Sequence, residues 1–304
     1  MMWKRVTTAV VLMPVAIALV LWGSTTVVAA AVAALTAVAL WEYFALGEAI
    51  GHRAYRVWTV ICAVLLIFHG FALAAYGLLV STVTSGGSAL VHETPQRLFA
   101  YHGHHLLAVL YSPAALFFLF VMGLATLTLW TRRPLVEALP AAGISASALL
   151  LVAFPLSYAV ALHGLGKMGP RLLLFACGIT WAGDTVAYFV GSAFGKHLLA
   201  PKLSPKKTWE GSVGGMVGSL AVAYAFSYWI RIPLGHLLAM GVVGNVAGQM
   251  GDLLESAYKR SAGVKDSGGL LPGHGGILDR IDALILCIPV VWFYVMLVNP
   301  RMLR

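Results

Sequence analysis

Apolar residues run along this chain in long stretches broken by short polar segments. The stretches fall at about 7–22, 25–46, 56–80, 106–130, 139–162, 171–192, 212–230, 233–250 and 279–298. Most approach the roughly 20 apolar residues that a helix needs to cross the hydrocarbon of a bilayer. None shows the period-2 alternation of a barrel strand, and backbone polar groups in lipid must pair within their own segment. The pattern therefore predicts an all-α polytopic integral membrane protein with about nine transmembrane helices. Composition agrees: 60% of the 304 residues are hydrophobic and 10% are charged, with a mean hydropathy of +0.88. Soluble domains are only about half apolar.

The N-terminus has the outline of a secretory signal, with Lys4 and Arg5 before an apolar run and small residues at Ala29–Ala31. The apolar character continues to Trp41 without a polar cleavage region, so a retained first pair of spans is expected. Orientation follows from charge. With the N-terminus inside, alternating spans place fourteen of the twenty Lys and Arg on the inner side and six on the outer side. The positive-inside rule then predicts a cytoplasmic N-terminus and an outside C-terminus. It also puts the two most charged loops, 193–211 and 251–278, in the cytoplasm. A net charge of +9 suits anionic head groups and phosphates, with no particular call for nucleic acid. Cys62, Cys177 and Cys287 fall within predicted spans and read as buried free thiols.

Residues 1–183 hold four of the eleven acidic residues, and residues 184–282 hold the other seven. The expected organisation is a transmembrane scaffold at 1–170, with a polar outer loop at 81–105, and a catalytic transmembrane domain at 171–304. His102, His104 and His105 in the outer loop read as a solvated segment rather than a metal site, since every other polar cluster lies on the opposite side.

The chemistry concentrates in 252–282, where four Asp, one Glu and four Lys or Arg surround a Gly-rich run. On a helix Asp252, Glu255 and Lys259 share a face. A solvated helix end with local ion pairs is the plain reading. Asp279 and Asp282 share another face, with Arg280 turned away, and can serve simply to complement a helix dipole. If these acids converge with Asp252 they make an oxygen site for Mg²⁺, which takes one or two carboxylates, waters and substrate phosphates. Between them, Pro272-Gly273-His274-Gly275-Gly276 can turn backbone N–H groups toward an anion, or be a flexible loop. His274 suits phosphate contact, acid catalysis or packing. The other charged loop carries Ser204, Pro205, Lys206, Lys207, Thr208 and Glu210, a set fit for phosphate or metal-water contacts, although anionic lipid alone would explain the lysines. Asp184, inside the sixth span, is a functional candidate or a protonated helix–helix hydrogen bond. Glu42 reads as structural or lipid-head-group related.

The run Ser256-x2-Lys259-Arg260-x4-Lys265-Asp266-x-Gly268, followed by Leu271-Pro272-Gly273-His274-Gly275-Gly276-x2-Asp279-Arg280-x-Asp282, resembles the signature of the phosphatidate cytidylyltransferase (CDP-diacylglycerol synthase) family. So do the loop Ser204-Pro205-x-Lys207-Thr208-Trp209-x-Gly211, the segment Asp184-x3-Tyr188-x2-Gly191, and Glu42. The resemblance implies transfer of CMP from CTP to phosphatidate, giving CDP-diacylglycerol and pyrophosphate in phospholipid biosynthesis. It also implies Mg²⁺, a second cation with potassium as the candidate, and a homodimer in a bacterial inner membrane. It matches Asp252 and Asp279 to the metal-binding acids, with Asp184 as a third candidate. Lys259, Arg260, Lys265 and Asp282 join the catalytic set. Ser204, Lys207, Thr208, His274, Gly275, Gly276 and Arg280 are the substrate-binding expectations. The alternatives are a cytidylyltransferase or CTP-dependent kinase for another lipid and, from a different class, a cation transporter.

Overall fold

The computed structural model describes residues 2–85, 112–131, 134–270 and 275–298. Helices dominate: α1 (Met2–Trp22), α2 (Thr25–Ala49), α3 (Arg56–Ser85), α4 (Pro113–Trp130), α5 (Ala138–Ala148), α6 (Phe154–His163), α7 (Gly169–Phe194), α8 (Trp209–Ser227), α9 (Leu234–Ser261) and α10 (Leu278–Val298). A short antiparallel ribbon, β1 (Leu198–Ala200) and β2 (Ser204–Thr208), links α7 to α8 and pairs Leu198 with Thr208 and Ala200 with Ser204. Most of the outer loop expected at 81–105, including its three histidines, lies outside the described residues, as do Arg132, Arg133 and His274.

Among the described residues, six helices are long and apolar enough to cross a membrane: Thr25–Ala49, Pro113–Trp130, Leu135–His163, Gly166–Phe194, Leu234–Ser261 and Leu278–Val298. Leu12–Trp22 and Arg56–Phe71 form shorter apolar helical stretches. The α8 helix is not among the six, because four glycines and Glu210 dilute its apolar content. Large apolar side chains such as Trp22, Val57, Leu129 and Val217 point outward. Long apolar helices with apolar outer surfaces are those of an integral membrane protein with several spans.

Local chemistry explains the breaks. Ser24 caps α2 by accepting from Val27 N at 3.3 Å, and Ser112 caps α4 by accepting from Ala115 N at 3.1 Å, just ahead of Pro113. Between α5 and α6 the helix widens into a π-turn at Leu149–Ala153, and Phe154 N bonds to Leu149 O. The next residue, Pro155, has no N–H, so the regular ladder cannot continue there.

Two buried apolar clusters share α10. Leu278, Ile281 and Ile285 pack with α2, α3, α5 and the π-turn. Cys287, Ile288, Val291 and Val295 pack with α6, α7 and α9. Both clusters draw on residues from either side of position 170. Small residues let the central helices approach closely. A Cβ on Gly215 would lie 2.9 Å from Gly183 O, and one on Gly211 would lie 2.9 Å from Ala187 O. Backbone-to-backbone packing of α7 on α8 thus carries Asp184 to the start of α8, while Gly248 and Gly251 set α9 against α10 beside Asp282 and Ala283.

Candidate active site

The polar residues of α7, α9, α10 and the ribbon sort into two neighbouring arrangements. The first surrounds a cavity of about 440 Å³, lined among others by Asp184, Lys207, Thr208, Ser212, Gln249 and Asp252. Lys207 reaches across from β2 to pair with Asp252 of α9. Asp184 lies within electrostatic reach of Asp252, Lys207 and Arg280. Helical spacing put Asp252 and Glu255 on one face with Lys259. The structure keeps Lys259 with Glu255 but gives Asp252 a partner 45 positions earlier.

The ribbon that delivers Lys207 is held at its base. Thr208 Oγ1 accepts from Gly211 N at 3.1 Å and caps α8. Glu210 accepts from Lys196 N and His197 N, each at 3.2 Å, and its other oxygen meets His197 Nδ1 at 2.6 Å. The His197 contact, with these backbone donors, holds the Glu210 carboxyl down at about 2, against an ordinary value of 4.5. A depressed carboxylate adds stability above its ordinary value and loses it as pH falls through the folded value. The clamp is therefore expected to release as pH drops from 4.5 toward 2. Limited proteolysis at 196–208 should rise over that window in the wild type, and a Glu210→Gln variant should be susceptible already at neutral pH. Equal resistance of the two proteins would discount the clamp.

The second arrangement is a buried latch. Lys259 Nζ contacts Glu255 Oε2 and donates to Asp279 Oδ1 at 2.6 Å. Asp279 Oδ2 accepts from Ser267 N at 3.0 Å, Ser267 Oγ at 3.0 Å and Gly276 N at 2.7 Å. Neither Glu255 oxygen has an aligned hydrogen bond despite its ion pair with Lys259. Glu42 of α2 completes the latch: its carboxylate accepts from Ile277 N at 3.0 Å and Leu278 N at 2.8 Å, and shares the single Ser267 hydroxyl hydrogen with Asp279, at 3.1 Å from Oγ. Glu42 thus caps the N-terminus of α10 from 236 positions away, satisfying donors that a helix start leaves open. Of the two readings of Glu42, this geometry supports the structural one.

Gly275 has φ +78, where a Cβ would come 2.6 Å from Asp279 Oδ2, so only glycine lets the loop close over that carboxylate. The N–H of Gly276, expected to face a phosphate, donates to Asp279 of the chain itself. Arg260 donates from Nε to Leu203 O at 3.2 Å and from Nη1 to Val264 O at 3.1 Å, tying the ribbon to the loop after α9. Ser204 sits in β2 opposite Ala200, half-buried, while Lys265 and Asp266 are exposed. Arg280 is exposed, and its charge acts on Asp184. Asp282 stands between the two arrangements, within electrostatic reach of Asp184, Asp252 and Glu255. It lines a cavity of about 20 Å³ with Glu255, Tyr43 and Tyr258.

Among the described residues no three His, Cys, Asp or Glu side chains gather as a metal cage. Two carboxylates on one cavity, Asp184 and Asp252, nevertheless suit a cation that completes its shell with waters and phosphates, as Mg²⁺ does. Asp279, with both oxygens engaged inside the latch, stands apart from that pair. Reading the sequence for charge passed over Ser212, Asn245, Gln249 and Ser267. The spacing of Asn245, Gln249 and Asp252, four and then three apart in an apolar span, was a signal of one polar helix face.

Over 138 residues the chain is 44% identical to a phosphatidate cytidylyltransferase of Bacillus subtilis (strain 168), covering 45% of this chain and 51% of the relative. It is 43% identical over 132 residues to the phosphatidate cytidylyltransferase of Haemophilus influenzae, covering 41% and 46%. It is 46% identical over 125 residues to that of Staphylococcus aureus (strain COL), covering 40% and 48%. The chain spans about half the length of these curated relatives. The family model described as the cytidylyltransferase family matches residues 3–298, nearly end to end, and the chain belongs to that family.

Proposed function

We propose that this protein transfers CMP from CTP to phosphatidate, giving CDP-diacylglycerol and pyrophosphate. The observation that carries the reading is the cavity where Asp184 and Asp252 meet Lys207, in a chain of the cytidylyltransferase family whose curated relatives are named for this reaction. An oxygen of the lipid phosphate attacks the α-phosphorus of CTP in line, the bond to the β-phosphate oxygen breaks, and pyrophosphate leaves with that electron pair. The attacking phosphate is already an anion, so the step balances without a protein base. Positioning and charge neutralisation are then the protein's main tasks.

In this reading Lys207 offsets phosphate charge at the cavity, with Ser204, Thr208 and Arg280 as further contacts, and His274, Gly275 and Gly276 are substrate-binding candidates on the family signature alone. Asp252 and Asp184 are the residues that would hold Mg²⁺, which when bound supplies charge neutralisation between the two phosphates. Asp279, the other acid matched to metal by the family signature, holds the loop through Ser267 and Gly276 and acts on the site through Lys259. Asp282 adds negative charge near Asp184 and Asp252. Arg260 in the last turn of α9 and Lys265 in the loop after it face the head group. A second cation such as potassium and a homodimer complete the proposal.

The finer topology belongs to the same reading. Nine spans with the N-terminus in the cytoplasm and the C-terminus outside put both charged loops on the side where CTP is found. Residues 1–170 act as scaffold and 171–304 as the catalytic part, in a bacterial inner membrane. The test uses purified protein in vesicles with labelled CTP, Mg²⁺ and phosphatidate. Equimolar lipid-linked cytidine and pyrophosphate are expected. A folded protein that conducts cations without CTP turnover would replace this reading with transport, and turnover only with another lipid phosphate would change the substrate.

A further inference from the structure

Where α8 and α9 wall the large cavity, Ser212 Oγ donates to Gln249 Oε1 at 2.5 Å and Gln249 Nε2 donates to Ser212 O at 3.3 Å. The amide nitrogen of Gln249 also donates to Asn245 Oδ1 at 2.6 Å. Asn245 Nδ2 donates to Ser219 Oγ at 2.7 Å and Gly215 O at 3.4 Å, and Ser219 Oγ donates to Ile179 O at 2.7 Å. Backbone carbonyls can only accept, so Ile179 O, Gly215 O and Ser212 O fix the direction of the whole chain of bonds. Both amide hydrogens of Gln249 and the single hydroxyl hydrogen of Ser212 are used.

The Ser212–Gln249 pair can therefore present only lone pairs to the cavity. Asp184 and Asp252, on the same cavity, are acceptors too when ionised, while Lys206 and Lys207 bring donors from the ribbon. A phosphate or carbonyl oxygen set against the pair would place lone pair against lone pair. A ligand amino group would be accepted.

We propose that Ser212 and Gln249 are the base-selecting residues of the nucleotide site, with Ser212 Oγ and Gln249 Oε1 accepting the exocyclic amine of cytosine. Uracil carries an oxygen at that position and is rejected. The inference deepens the CTP reading above and rests on it. Asn245 and Ser219 act as positioning residues, since they hold the pair in its acceptor-only state from within the helix bundle.

The experiment measures kcat/KM of the full chain in vesicles for CTP, UTP and a CTP analogue with hydrogen in place of the amine. The wild type should favour CTP over UTP by roughly a hundredfold or more, because a site built around a substrate N–H leaves polar groups unpaired with the wrong base. Ser212→Ala should narrow that preference roughly tenfold, chiefly through the KM for CTP. Ser212→Cys, a weaker acceptor of similar size, should fall between the two and covers a failure of the alanine variant to fold. A preference untouched by either substitution overturns the inference. So does an equal loss with CTP and UTP accompanied by a raised Mg²⁺ requirement, which would assign the pair to the water shell of a cation. Failure of the parent reading looks different: the wild type would transfer no CMP from CTP at all.

Discussion

Lys259→Met is expected to destabilise the folded protein by about 3–5 kcal/mol, the range for breaking a buried ion pair from one side. Lys259 is the cation between Glu255 and Asp279, and the side chains are only 12%, 6% and 6% exposed. Methionine preserves most of the stem and its packing, so the loss reports on charge. It leaves two carboxylates facing each other, and Glu255 has no aligned hydrogen bond to fall back on. Asp279 would keep Ser267 and Gly276 but lose its counter-charge.

Glu255→Gln should cost much less, because Lys259 retains Asp279 and a neutral amide needs no counter-ion. Combining the two substitutions should recover part of the loss, since only one of the two carboxylates that faced Lys259 then remains charged. Reversible unfolding in detergent gives the energies, and protease susceptibility of the segment around Ser267 reports whether the loop has come away. A shift under about 1 kcal/mol for Lys259→Met would mean that the latch is not held by charge.

Asp252→Asn should lower CMP transfer by about a hundredfold or more while the protein stays folded. A lost carboxylate oxygen at a charge-neutralising centre is worth several kcal/mol of barrier. The direction of KM makes this more specific. Asp252 pairs with Lys207, so the substitution frees a cation at the cavity edge. The KM for CTP should therefore stay level or fall while kcat collapses. Lys207→Ala should do the opposite to KM, raising it, because the cavity keeps its acids and loses a cation. Near-native kcat in Asp252→Asn would remove Asp252 from the chemistry, and a rise in KM in both variants would show that their ion pair only shapes the cavity.

Much of this architecture was legible before any coordinates. Apolar runs located the helices because a bilayer leaves a spanning backbone little other choice. The regularity of α9 explains why Glu255 and Lys259 meet as their spacing expects, whereas Asp252 and Asp279 take partners that spacing did not group them with. Spacing could not say what each carboxylate faces. Asp252 turned out to pair with Lys207 of the ribbon, and Asp279 to face its own loop rather than the acids of the cavity.

The role of Glu42 was illegible for a different reason. A buried acid in an apolar helix announces that it has a partner, but its donors, Ile277 N and Leu278 N, are backbone groups that carry no sequence signature. The Ser212–Gln249–Asn245–Ser219 chain was hidden similarly, since serines and amides among small residues look like packing until bond directions are known.

By itself, then, the sequence determined the membrane class, the helix positions, the concentration of charge near residues 184–282 and the family resemblance, all set by local composition and period. Only the tertiary structure decided which charge meets which. Those pairings depend on glycine-mediated approach of α7 to α8 and of α9 to α10, and on a cap donated across 236 positions. Contacts between distant segments leave no periodic trace in one chain, because neither partner's neighbours in sequence are its neighbours in space.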